Sequence, residues 1–126
     1  MKISREAIRQ FVADNEGRVD MRRQMLWGFF FKHDDSGKLE ALRGALERDG
    51  YRYVELSPRE DLKWWLEVSV AEPLTADALF ERCAALHELG RDHAVEFDGF
   101  DVGNVDGLRA SSWSSESASG GGKDRP

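Results

Sequence analysis

Between Met25 and Phe31 the chain reads Met-Leu-Trp-Gly-Phe-Phe-Phe, and after Lys32-His33 it passes to Asp34-Asp35-Ser36-Gly37. A run so short, so aromatic and so abruptly ended predicts a buried central strand, because bulky rings pack well on a pleated surface covered from both sides. Elements that can flank such a strand follow in order. A helix is expected from about Ser36 to Arg48, with Leu39, Leu42, Ala45 and Leu46 as the stripe that faces a sheet and Gly50 placed for a C-terminal cap. A strand from Tyr51 to Leu56 comes next. The polar connection Ser57 to Asp61 is too brief for a crossover, so the following strand pairs antiparallel with it as a hairpin.

That next strand alternates: Trp64, Leu66, Val68 and Val70 on one face, Trp65, Glu67, Ser69 and Ala71 on the other, until Pro73 stops it. Thr75 caps a further helix to about Leu89, with Asp77 in its first turn, Leu79, Phe80, Cys83 and Leu86 inward, and Gly90 closing it. A last strand spans about His93 to Val102, and Asp98-Gly99 within it reads as a bulge. Right-handed crossovers turn strand, helix, strand, strand, helix, strand into an α+β, ferredoxin-like two-layer sandwich: a four-stranded antiparallel sheet with two helices on one face.

Two segments flank that unit. Ser4 caps an extra N-terminal helix, with Ile3 and Ile8 in staple spacing and Ile8, Phe11 and Val12 on one face; Asn15 to Gly17 ends it, and Arg18 to Gln24 reads as a linker. The helix looks like an appendage. Beyond Gly107 the composition collapses to Ser, Gly and charge, which cannot offset its ordering entropy. The expected organisation is therefore a helix and linker at 1–23, one domain at 24–105 and a flexible Ser/Gly-rich tail at 106–126. Trp113 either pins that tail or is exposed without a role, the second being the preferred reading.

Eighteen Lys and Arg stand against 24 Asp and Glu, a formal charge of -6, and segment 24–105 carries most of the imbalance. Such a molecule repels phosphate backbones and anionic lipid, so direct nucleic-acid binding and a membrane-surface role start at a disadvantage. The longest apolar run is too short for a bilayer and the first ten residues are charged where a secretory signal would be apolar, so a cytoplasmic protein is expected.

Little catalytic chemistry is offered. Cys83 and His87 lie four apart on one helix, the spacing of a thiolate and its base, but Cys83 belongs to the inward stripe and reads first as a small buried hydrophobe. Cys83, His87 and His93 lack the usual spacings of a zinc site, Asp34-Asp35-Ser36-Gly37 lacks the alternating donors of a calcium loop and reads as a helix cap, and no glycine-rich phosphate loop follows a strand. No metal, cofactor or enzymatic activity is expected. RNA-recognition domains share this topology, yet Lys63-Trp64-Trp65-Leu66-Glu67-Val68 is not their aromatic signature, and Glu67 sits where RNA would lie.

The aromatic strand Leu26-Trp27-Gly28-Phe29-Phe30-Phe31, the Trp-led third strand and the closing Phe97-Asp98-Gly99-Phe100 together resemble the ribonuclease E inhibitor RraB family over residues 24 to 105. The family's closing motif usually reads Tyr-Asp-Gly-Trp; here Asp98 and Gly99 stand, and both neighbours are Phe. The resemblance implies a ferredoxin-like fold without catalysis and a protein partner, ribonuclease E, whose RNA cleavage would be restrained. The alternative is a ferredoxin-like ligand-binding or dimerisation module, a homodimer included, with no ribonuclease link.

One face of a two-layer sandwich is open, and both faces of this sheet carry large apolar residues. The N-terminal helix covering the open face from within is the preferred reading; a partner protein or second copy is the other, with Trp27, Tyr53 and Trp65 as anchors beside Glu67, Asp98 and Phe100. For Asp98 a hydrogen-bonding role in the bulge formed with Gly99 ranks ahead of direct contact.

Overall fold

The structure, a computed structural model, describes residues 4–59, 62–105 and 109–114. Its elements are α1 (Arg5–Asp14), β1 (Met25–His33), α2 (Ser36–Arg48), β2 (Arg52–Pro58), β3 (Trp64–Glu72), α3 (Ala76–Asp92), β4 (Glu96–Gly103) and β5 (Arg109–Ser114). They form an α+β fold around one antiparallel five-stranded sheet of order β2-β3-β1-β4-β5. The aromatic β1 is the middle strand, as its composition requires.

Local chemistry sets the helix starts as expected. Ser4 Oγ accepts from the Ala7 amide (3.1 Å), Asp35 Oδ1 from the Gly37 amide (2.8 Å) and Thr75 Oγ1 from the Ala78 amide (3.0 Å). Gly50 takes the positive φ of 98° that follows the α2 cap. The other C-terminus differs from expectation: Gly90 lies inside α3, which runs on to Asp92. Ala94, at φ 59°, makes the left-handed turn instead, and the Val95 amide returns to the Gly90 carbonyl at 2.7 Å. Gly90 serves close approach, since a Cβ there would meet the Val95 carbonyl oxygen at 2.9 Å.

Register divides the side chains into two faces. Along β1, Met25, Trp27, Phe29 and Phe31 point one way and are almost fully buried with Leu66 and Val68 of β3 and Phe97, Phe100 and Val102 of β4. Leu39, Leu42 and Leu46 of α2 and Leu79, Cys83 and Leu86 of α3 close over them. Phe29, at the centre, meets Tyr51 edge-on at 5.9 Å and tilts against Phe97 and Phe100. Of the two phases that the alternation of β3 allows, the structure has the one with Leu66 and Val68 inward.

Two expectations are corrected. The sheet has a fifth strand: Arg109–Ser114, inside the stretch read as a flexible tail, pairs antiparallel with β4. Trp113, read as exposed without a role, stacks on Phe100 with centroids 5.5 Å apart and planes at 15°, so a partly buried ring supplies the apolar area that the serines lack. The remainder of the expected tail lies outside the described residues.

Nor is α1 an appendage, and it does not cover the open face. It lies on the same side as α2 and α3, where Ile8 is fully buried, Phe11 meets Phe100 edge-on at 5.0 Å, and Arg5 reaches Asp77 at 3.2 Å and Glu81 at 2.6 Å on α3. Asn15 Oδ1 accepts from the Ser111 hydroxyl of β5 at 2.7 Å, which ties the end of α1 to β5. Phe11→Ala is expected to cost about 3–5 kcal/mol in urea unfolding, as for a core ring; a peripheral helix would give a loss below about 0.5 kcal/mol.

The open sheet face as candidate binding surface

The second face of the sheet carries no described helix. Its central row on β1 is Leu26, Gly28, Phe30 and Lys32, opposite Ala71, Ser69, Glu67 and Trp65 of β3. Phe30, Leu26 and Trp65 are half-buried and stand outside the core cluster. On this face, therefore, apolar rings lie beside charge.

The β4 contribution depends on a bulge. Phe31 lies opposite Phe97 and Phe30 opposite Gly99, so Asp98 is the extra residue and shares the open face. Its carboxylate takes the Lys32 ammonium at 3.2 Å; the side chains are 5% and 7% exposed, and Glu96 stands 3.9 Å from the same nitrogen. The pair is dry, and losing either partner would strand a buried charge. The Lys32 nitrogen also lies 5.3 Å from the Trp65 ring centroid, and the guanidinium of Arg59 lies 5.0 Å from it.

Gly28 explains the rest of the pattern. A Cβ there would collide with Asp101 Oδ1 and meet Glu67 Oε2 at 3.0 Å. Two carboxylates therefore converge over a stretch of bare backbone that only glycine leaves free. Between Asp101 and Trp65 is an open pocket of about 200 Å³, bordered also by Phe30, Arg59, Asp98, Phe100, Ser112 and Trp113. The Trp65 indole N–H is buried and has no hydrogen-bond acceptor among the described residues.

Of the expected contact residues, Trp65, Glu67 and Asp98 meet on this face. Trp27, Tyr53 and Phe100 do not. Trp27 and Phe100 are fully buried on the helical side, the Trp27 indole donating to the Glu72 carbonyl at 3.0 Å, so neither has surface to offer a partner. Tyr53 also faces the helices, under the Arg43 guanidinium at 4.5 Å. Phe30, Lys32, Arg59 and Asp101 were missed by the sequence reading; the i, i+2 phase of β1 through Gly28 would have pointed to the first two.

A larger groove of about 800 Å³ opens between the end of α2 and α3, walled by Asp49, Tyr51, Glu72, Arg82, Glu88 and Asp92. Its charges are largely engaged: Arg82 pairs with Glu72 at 2.6 Å and donates to the Tyr51 hydroxyl at 3.2 Å, and Glu88 pairs with Arg91. Among the described residues no group of three or more His, Cys, Asp or Glu is arranged to hold a metal, and no helix is long and apolar enough to cross a membrane.

Burial pushes the Cys83 thiol up to about 12 and raises the Tyr51 phenol. A thiol so held is neither a nucleophile nor a ligand at neutral pH. Both groups keep their protons more tightly folded than unfolded, so stability is retained below their ordinary values and falls as pH rises from about 9 towards 12. Thermal melts across that range should show the decline, and native Cys83 should resist iodoacetamide at pH 8 yet react once unfolded; labelling of the folded chain would contradict this burial.

Comparison with protein families matches residues 2–102 to a family described as regulator of ribonuclease activity B, RraB. That match takes in α1 as well as β1 to β4 but not β5, and so begins well before the residue-24 start suggested by the sequence. No curated protein matches the chain.

Proposed function

The chain belongs to the RraB family, regulators of ribonuclease activity that are not catalysts, and on that premise we propose that it is a cytoplasmic, non-enzymatic protein that binds ribonuclease E and lowers its RNA cleavage. In this reading β1-α2-β2-β3-α3-β4 is the ferredoxin-like unit, and β5 is an addition along the β4 edge. The observation that carries the binding half is the uncovered sheet face, where Phe30 and Trp65 sit beside Glu67, Asp98 and Asp101. Half-buried aromatics ringed by carboxylates favour a basic protein segment and disfavour RNA, whose phosphates the acidic chain repels.

The mechanism that follows is competition. An Arg- or Lys-rich segment of the nuclease would be held by this chain in place of RNA, and the electrostatic share of that contact weakens with salt. Trp65 and Glu67 are the contacts of this reading, with Asp98 acting through Lys32.

In an RNA-cleavage assay with purified ribonuclease E, the chain is expected to inhibit at low salt and progressively less as salt rises. Trp65→Ala should weaken inhibition about tenfold or more, the effect of removing an interface anchor. Inhibition equal at low and high salt and untouched by Trp65→Ala would remove the sheet face from the mechanism.

A further inference from the structure

The last strand occupies the β4 edge in the way a bound peptide would. β5 pairs on one side only, being last in the sheet order. Its regular ladder sets Ser111, Ser112, Trp113 and Ser114 against Val102, Asp101, Phe100 and Gly99, with Ala110 as an extra residue before it. Apart from Trp113, Arg109–Ser114 holds none of the β-branched or aromatic residues that favour strands. It also lies beyond residues 2–102, the stretch matched to the family.

What seats this strand is an aromatic slot. Phe100 is fully buried, although its strand would be the edge of the sheet without β5. Phe11 meets its ring edge-on at 5.0 Å, Trp27 and Phe29 lie tilted at 6.1 and 6.5 Å, and Trp113 stacks on it at 5.5 Å. Three of those four rings belong to the matched stretch, and Trp113 comes from outside it. Without β5, the β4 edge would bare unpaired N–H and C=O groups beside the uncovered ring of Phe100. Those are the two requirements of strand addition: backbone hydrogen bonds give affinity, and a side-chain slot gives choice. The seam is also reached from outside, because Phe100, Ser112 and Trp113 border the small pocket on the open face.

We propose that the β4 edge accepts an extended protein segment carrying an aromatic residue opposite Phe100, and that β5 is its resident, displaceable occupant. The incoming segment pairs antiparallel with β4, stacks its ring where Trp113 lies and keeps small residues beside that ring, as Ser-Ser-Trp-Ser does in β5. The bond from Ser111 to Asn15, at 2.7 Å, is a further contact that it must break. This site is an edge, distinct from the sheet face opposite the helices, and does not rest on the role of that face.

The test uses the full chain and an acetylated, amidated peptide of the β5 sequence, Arg-Ala-Ser-Ser-Trp-Ser, with binding read from backbone amide chemical shifts. A resident strand competes as a tethered ligand, so weakening it strengthens the peptide. Trp113→Ala is expected to raise peptide affinity about tenfold or more over the native chain, with the shifts concentrated at Phe100 to Val102. Ser111→Ala spares the ring stack and should raise affinity about threefold, and it carries the test if Trp113→Ala unfolds. Replacing Trp by Ala in the peptide should weaken it about tenfold. In hydrogen exchange of the native chain, the β5 amides bonded to β4 should open about a hundredfold faster than those of β1. Peptide affinity no higher for either variant than for the native chain, or β5 amides exchanging in step with β1, would overturn the proposal. Binding indifferent to the peptide's Trp would overturn the aromatic slot.

Discussion

A single extra residue, Asp98, determines how the two faces of the sheet differ. Phe97 and Phe100 are three positions apart and in a regular strand would point to opposite sides. The bulge restores them to the same side, opposite Phe31 and Phe29, and puts Asp98 on the other. Without it, half of the aromatic centre of the core would face solvent, Phe11 would lose the ring it packs on, and Trp113 would have nothing to stack against. β2 repeats the device: Val54 is the extra residue there, and Tyr53 and Leu56 both face the helices. Two bulges thus sort an irregular sequence into an apolar side and a charged one.

The charged side is held in place at some expense of stability. Lys32 and Asp98 are nearly solvent-free, and a buried ion pair is commonly no more stable than a hydrophobic substitute of the same volume. In the proposed reading, the arrangement of Lys32, Asp98, Glu67 and Asp101 near Trp65 serves preorganised recognition rather than stability. Ordering the acidic groups beforehand lowers the entropic cost of binding a flexible basic chain. The three described helices, meanwhile, all lie on the opposite face.

Much of the layout was legible from residue patterns. Caps at Ser4, Asp35 or Ser36 and Thr75, the alternation of β3 and the bulge at Asp98-Gly99 follow from local rules that one sequence carries in full. What escaped was non-local. Nothing in Ile8, Phe11 and Val12 says which side of a sheet they join, because an amphipathic helix meets either side equally well; Arg5 and its partners on α3 decide it. Arg109–Ser114 has the composition of a tail, and one stacked indole together with a free β4 edge outweighs that. Trp27 and Phe100 were misplaced for a related reason: an aromatic strand advertises bulk without saying which of its rings face the helices. Arg59 and Asp101 gave no signal at all, being ordinary charges until the fold brings them to Trp65.

The central claim is that partners meet the sheet face opposite the helices. Hydroxyl-radical footprinting of the full chain, free and in complex with ribonuclease E, tests it most directly, because side-chain oxidation reports each face separately. Protection of Phe30 and Trp65, with Phe80 and Leu89 on the helical side oxidised as in the free chain, is the predicted result. Protection of Phe80 and Leu89 with Phe30 and Trp65 unchanged would contradict it and move the binding surface to the helices.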